Sequence, residues 1–396
     1  METALILLAV LLAGALLAWP KVFRNPLWRA TVTPLASIIG SGFLILGPVL
    51  NAEYGAWAPA VMAALCALAW AFGAAIRANI ASIEAAAARP RAALALERTS
   101  QWVLAFAYAI AVAYYLNLFG AFAVELTPWN GELTARLVTS GVFLVILATG
   151  WLKGFSALER MEQVAVGLKL AIIAGLLTGL AWAFAADATG EGLYLNPVTI
   201  RGPEALFLAF GLLVTVQGFE TSRYLGEEYS ARQRIRSMRL AQALSTLIYL
   251  VYIGLFSYLF APHVAQVDEA AIIGMMRQVA LILPPLLVVA ALAAQFSAAV
   301  ADTSGAGGLV EELTGGRIGP RAAYAVLVAA GLVLTWWLDV FVIITWASRA
   351  FALYYALQAA IAAVEARRAG QRGWMMAWGA LCLLGLAITA LGTPVE

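Results

Sequence analysis

Charge is what this chain has least of. Only 12% of its 396 residues are Asp, Glu, Lys or Arg, against 63% hydrophobic, a balance that excludes a soluble or disordered chain. The net charge of +2 gives no reason to expect nucleic acid or an acidic partner. A single histidine, His263, leaves no histidine-based catalytic or zinc cluster. The two cysteines, Cys66 and Cys382, both fall inside apolar runs and read as small core residues without a disulfide framework. No metal, no cofactor and no enzyme activity are expected. The apolar start, residues 4–19, lacks a basic leader and an Ala-x-Ala cleavage site, so it reads as a retained helix.

Apolar runs are what the chain has in abundance, many of them long enough to cross about 30 Å of hydrocarbon. Twelve spans are predicted: 3–19, 31–50, 57–80, 101–126, 134–152, 158–184, 204–224, 238–261, 280–303, 321–338, 341–364 and 373–392. Alternate connections carry 19 of the 24 Lys and Arg residues, while the opposite set holds only Arg136, Arg201 and Arg277. By the positive-inside rule the rich set is cytoplasmic, which puts both termini on the extracytoplasmic side of a plasma (inner) membrane.

Two interruptions stand out. The second span contains Ser37-Ile38-Ile39-Gly40-Ser41-Gly42-Phe43, with Gly-Ser-Gly at its centre. Glycine costs a helix about 1 kcal/mol relative to alanine. Two readings are open: close packing of another helix, or backbone unwound around a midplane binding site. The seventh span repeats the pattern in Val216-Gln217-Gly218-Phe219-Glu220-Thr221-Ser222. Interruptions at the start of each of two five-span halves favour the binding site. Lys169 and Arg349 lie within the sixth and eleventh spans, equivalent positions if the halves are inverted repeats. At about 1.5 Å per residue they sit roughly 14 and 15 Å from the nearest markers, Arg160 and Asp339, close to the midplane.

These segments resemble the amino acid–polyamine–organocation (APC) superfamily. Ile38-Ile39-Gly40-Ser41-Gly42-Phe43 is similar to its first-helix signature. Gly218-Phe219-Glu220, followed by Glu227-Glu228 and an arginine-rich loop, resembles its sixth helix. Lys153-Gly154-Phe155 leading to Val166-Gly167-Leu168-Lys169-Leu170 resembles its fifth. The likeness spans residues 30 to 365. It implies an all-α integral membrane protein with the leucine-transporter fold: 12 transmembrane helices, a five-plus-five inverted repeat, one extra N-terminal helix and one C-terminal helix. The corresponding units are 1–29, 30–185, 186–366 and 367–396. Backbone N–H groups around Gly40, Ser41 and Gly42 would hold a substrate carboxylate. Carbonyls near Ser37, Val216 and Gln217 would face its amine, with Ile39 and Gly218 completing the breaks. Lys169 would occupy the place where sodium-coupled relatives bind an ion, near Ser297. Where aromatic gating residues commonly precede Gly-Phe-Glu, this chain has Val214 and Val216.

Charge at the bilayer centre costs about 2.5–3.5 kcal/mol on insertion scales. Lys169, Glu220, Asp302 and Arg349 are therefore expected to find partners, Arg349 with Glu220 and Asp302 with Lys169. Static ion pairs that fix helix register are the alternative. Tyr114 is the candidate substrate contact from a tyrosine stripe on the fourth span. The expected function is secondary active transport of a small organic solute (an amino acid or related amine) by alternating access. Transport would be independent of sodium and either coupled to protons or exchanging. The alternative is a transporter-fold receptor or membrane scaffold that no longer transports.

Overall fold

The computed structural model describes residues 2–40, 42–85, 89–153, 155–190, 192–225, 229–261 and 271–393. Among them no strand is found. The helices in chain order are α1 (Glu2–Ala18), α2 (Pro20–Phe23), α3 (Pro26–Ile38), α4 (Gly42–Tyr54), α5 (Ala58–Ala85), α6 (Arg91–Glu125), α7 (Glu132–Lys153), α8 (Phe155–Thr189) and α9 (Gly202–Gly211). Two short 3₁₀ segments, Leu212–Val216 and Phe219–Tyr224, continue α9. They are followed by α10 (Ala231–Leu259), α11 (Ala271–Met276), α12 (Leu283–Thr314), α13 (Pro320–Trp337), α14 (Val340–Arg368) and α15 (Arg372–Leu391). Among the described residues ten helices are long and apolar enough to cross a membrane, and α1 is a shorter apolar helix.

Local chemistry sets where these helices begin and end. Asn25 caps α3, its side chain accepting from Leu27 N (2.9 Å) and Trp28 N (3.2 Å), with Pro26 at the first helical position. Ser230 and Gln233 form a reciprocal capping box on α10. Asp339 caps α14 through Phe341 N, and Gly315 closes α12 in the left-handed conformation. Several helices outrun the apolar spans. Thus α6 begins ten residues before the expected position 101, and α12 ends eleven residues after the expected 303. Hydropathy marks only the part that lies in hydrocarbon, whereas the backbone ladder continues into polar surroundings.

Around a central group formed by α6, α12 and α14, the interrupted segments α3–α4 and α9 find their places. Tyr108, Tyr114 and Tyr115 of α6 and Tyr354 and Tyr355 of α14 are fully buried. Peripheral helices leave apolar faces exposed, such as Leu8, Leu11 and Leu12 on α1 and Met376 and Leu383 on α15. In a bilayer those faces meet acyl chains. The α1 helix docks on α8 at Gly175 and Gly179, where Ile6 and Val10 fill the space that side chains there would need. This is the small-xxx-small packing by which membrane helices approach closely.

Candidate functional site

Both interruptions are real breaks. α3 ends at Ile38, Ile39 leaves the helical region (φ −85°, ψ 55°), and the helix resumes as α4 at Gly42. Ser41, between them, lies outside the described residues, as do His263, Gly154 and Glu227–Glu228. In the second break, Gln217 is extended (φ −79°, ψ 175°) and Gly218 adopts φ 114°, ψ −17°. That conformation suits glycine alone.

Among the described residues the two breaks are in direct contact. A Cβ on Gly218 would lie 2.6 Å from Ile38 N and from the Ser37 side chain. A Cβ on Gly42 would lie 2.4 Å from Thr215. Tyr249 of α10 ties them together, its hydroxyl lying 2.9 Å from the Ile38 carbonyl and 2.6 Å from that of Thr215. Gly218→Ala is therefore expected to fail on two grounds, a positive φ and a backbone clash. Its cost should be several kcal/mol, read as loss of monodisperse protein or a large fall in Tm.

Lys169 is fully buried on α8. Its Nζ donates to the carbonyls of Ala36 (2.8 Å) and Ile39 (2.7 Å) and to Ser297 Oγ (3.2 Å). Ser297 in turn donates to the Ala294 carbonyl. The ammonium thus bridges the unwound end of α3 to α12, taking up carbonyls that the end of a helix leaves without intrahelical partners. Gly40 packs just beside it, a Cβ there falling 2.8 Å from Ser37 O and 3.1 Å from Ala298 Cβ.

The expected charge pairing is not what the structure holds. Asp302, fully buried on α12, accepts from Ser37 Oγ at 3.3 Å and has no ion pair with Lys169. Glu220 accepts from Tyr355 OH (2.7 Å) and Gly218 N (2.9 Å) and does not meet Arg349. Arg349 points instead to the C-terminal segment, Nη2 and Nε donating to the Gly392 carbonyl at 2.8 and 3.2 Å. Its predecessor Ser348 holds the second break, donating to Gly211 O and accepting from Val214 N. One residue along a helix is a rotation of about 100°, and that step separates Arg349 from the site.

Val216 and Gln217 are buried at the second break, and Gln217 Nε2 donates to Tyr115 OH at 2.5 Å. Tyr114 is buried beside it, its ring centroid 5.5 Å from that of Tyr115. Tyr115 thus bonds the second break directly.

A second polar cluster, at the end of the bundle that carries the arginine-rich connections, was not anticipated. Arg223 pairs with Glu97 and also donates to Gln358. Arg89 pairs with Glu365 at 3.1 Å, with Glu97 3.8 Å away. Gln358 donates to Ser100 and accepts from Asn79. The network joins α5, α6, α14 and the segment leaving the second break. Hydropathy counted Arg89 and Arg223 as connection charges; the acids Glu97 and Glu365 among them were the available signal.

With this geometry in hand, comparison with known proteins is decisive. A family model described as APC superfamily transporter matches residues 20–392. The chain belongs to the APC superfamily of transporters. This transporter is also 40% identical over 384 residues, 95% of the chain and 93% of the relative, to an uncharacterized protein of Aquifex aeolicus (strain VF5). Its fold is similar to a Na⁺-coupled sialic acid symporter solved in a substrate-bound outward-open state. The TM-score is 0.57 at 12% identity, covering 100% of this chain and 97% of the other. It is similar too to Mhp1, a nucleobase-cation-symport-1 family transporter solved in a closed conformation with bromovinylhydantoin bound. There the TM-score is 0.55 at 11% identity, with 92% of each chain covered. At those identities the likeness concerns the fold, which is that of leucine-transporter-fold proteins.

Proposed function

We propose that this transporter moves a small organic solute, an amino acid or related amine, by alternating access without sodium, either coupled to protons or exchanging. The twelve apolar segments are read as twelve crossings, with residues 30–185 and 186–366 as inverted repeats, flanked by 1–29 and 367–396. Both termini are read as extracytoplasmic in a plasma (inner) membrane. One observation carries the coupling part: Lys169 Nζ rests on the carbonyls of Ala36 and Ile39 and on Ser297 Oγ. A sodium ion at that place would need those same oxygens, and a fixed ammonium competes for them by both charge and volume. Ala298, next along α12, supplies no further side-chain oxygen.

The solute is read as lying at the two breaks. The amides around Gly40, Ser41 and Gly42 are read as the donors, because the first turn of a helix, here α4 from Gly42, leaves N–H groups without an intrahelical acceptor and carries the positive end of that helix. They suit a carboxylate or another electron-rich group. Carbonyls near Ser37, Val216 and Gln217 suit an amine. Ser41→Val is the test. Two methyl groups crowd the amide donors, so solute binding in a thermal-shift screen of amino acids, amines and nucleobases should be lost while the apo Tm stays within a few degrees. Unchanged binding would move the site elsewhere; a protein that no member of the screen stabilises would favour a receptor or scaffold.

A further inference from the structure

Arg349 is a charged residue within a span that the solute site does not use. An intramembrane arginine is unfavourable and is kept for a purpose. Among the described residues its guanidinium meets a carbonyl rather than an acid: Nε and Nη2 both donate to Gly392 O, just past the end of α15. α15 packs along α14 in the opposite direction, Gly385 lying against Ala352 and Ala356, so that seven residues later the chain arrives at Arg349. Arg349 follows Val340, the start of α14, by about 14 Å at 1.5 Å per residue. The chain therefore leaves helical structure well inside the apolar layer, where a backbone group without a partner is expensive.

Its backbone groups are spent on α9. Thr393 N donates to Phe207 O at 3.0 Å. The atoms nearest to a Cβ built on Gly211 all belong to Thr393, and its carbonyl would collide with that Cβ. Ser348, the neighbour of Arg349, donates to Gly211 O and accepts from Val214 N. The last turn of α9 is thus clasped by two adjacent residues of α14, one directly and one through the segment that follows α15. Beyond the clasp the chain is not α-helical, with Gln217 extended and Gly218 at φ 114°. A ten-residue helix on such a tether is able to swing as a unit once its end is free.

We propose that Gly392 and Thr393 form a latch that pins α9 to α14 at the second break, with Arg349 as the positioning residue that holds the latch. α9 moves only after the Arg349–Gly392 and Thr393–Phe207 bonds part. This rests on the alternating-access reading and deepens it by naming what holds one half-helix in place.

Backbone hydrogen exchange of the purified full-length protein, read by mass spectrometry, tests the latch without knowledge of the solute. In Arg349→Met, exchange over residues 202–216 should rise about tenfold or more, the scale of losing one charge-assisted hydrogen bond. Residues 26–54, at the other break, should keep their wild-type exchange. Tm should stay within a few degrees, because removing a charge from apolar surroundings offsets the lost bonds. Arg349→Lys, which keeps a donor, should recover part of the protection. Gly211→Ala separates the latch from helix propensity. Alanine favours a helix, so without a latch α9 would exchange more slowly, whereas displacement of Thr393 makes it exchange faster. Wild-type exchange over 202–216 in Arg349→Met overturns the latch, as does slower exchange in Gly211→Ala. A rise spread evenly over all helices overturns it too, since it marks a brace of the whole fold. None of these results touches the transporter reading, which fails separately if proteoliposomes show no uptake.

Discussion

Lys169→Met should fold and yet fail to transport. Methionine keeps most of the volume and apolar stem of the lysine but none of its three donated hydrogen bonds. The carbonyls of Ala36 and Ile39, at the end of α3, would then be buried without a donor. Each orphaned acceptor costs about 1–3 kcal/mol, partly offset because burying the ammonium was itself unfavourable. A fall in Tm with retained monodispersity is expected. Lys169→Ala, which leaves a cavity as well, should be less stable than the methionine variant. Uptake into proteoliposomes should drop to background in both, because the α3 break loses the group that joins it to Ser297 on α12. Wild-type rates in Lys169→Met would remove the lysine from the mechanism.

Glu97→Ala should open the end of the protein that carries the arginine-rich connections. Arg223 is buried between Glu97 and Gln358. Removing the acid strands a buried guanidinium, an error worth about 3–5 kcal/mol in comparable sites. The closed arrangement bears that cost, since opening would let water reach Arg223. A cysteine placed at Ser100, the neighbour of Gln358, reports the change in a background with Cys66 and Cys382 replaced. Its labelling by a membrane-impermeant thiol reagent should rise on the order of tenfold or more. Arg223→Ala together with Glu97→Ala should be less harmful than Glu97→Ala alone. Labelling that stays at its original rate would mean that the network is a static brace.

The breaks were legible because lipid gives glycine and serine no local reason to sit mid-span: Gly40, Gly42 and Gly218 announced themselves. What they touch was not legible. The contact of Gly42 with Thr215, and the bridge from Tyr249 to Ile38 and Thr215, are tertiary facts with no sequence period behind them. The place of Lys169 near Ser297 followed from family resemblance, whereas the pairings of Arg349 with Glu220 and of Asp302 with Lys169 were argued from charge balance and symmetry and did not hold. Counting charges ignores helical phase: Ser348 faces the break, and Arg349 faces Gly392. The Arg223–Glu97 network escaped because a hydropathy window stops where charges start, although α6 runs on for ten residues beyond the expected span. By contrast, Gly175 and Gly179 carried a readable packing motif for α1 that only the structure brought to attention.

The central claim is that an ammonium from the protein stands where a coupling sodium would bind. It is tested most directly by sodium itself, without knowledge of the solute. Tm of the purified wild type is followed as sodium chloride replaces choline chloride at constant ionic strength. A ligand that binds only the native state raises Tm saturably. The account predicts a flat wild-type curve; saturable stabilisation of the wild type by sodium would contradict it.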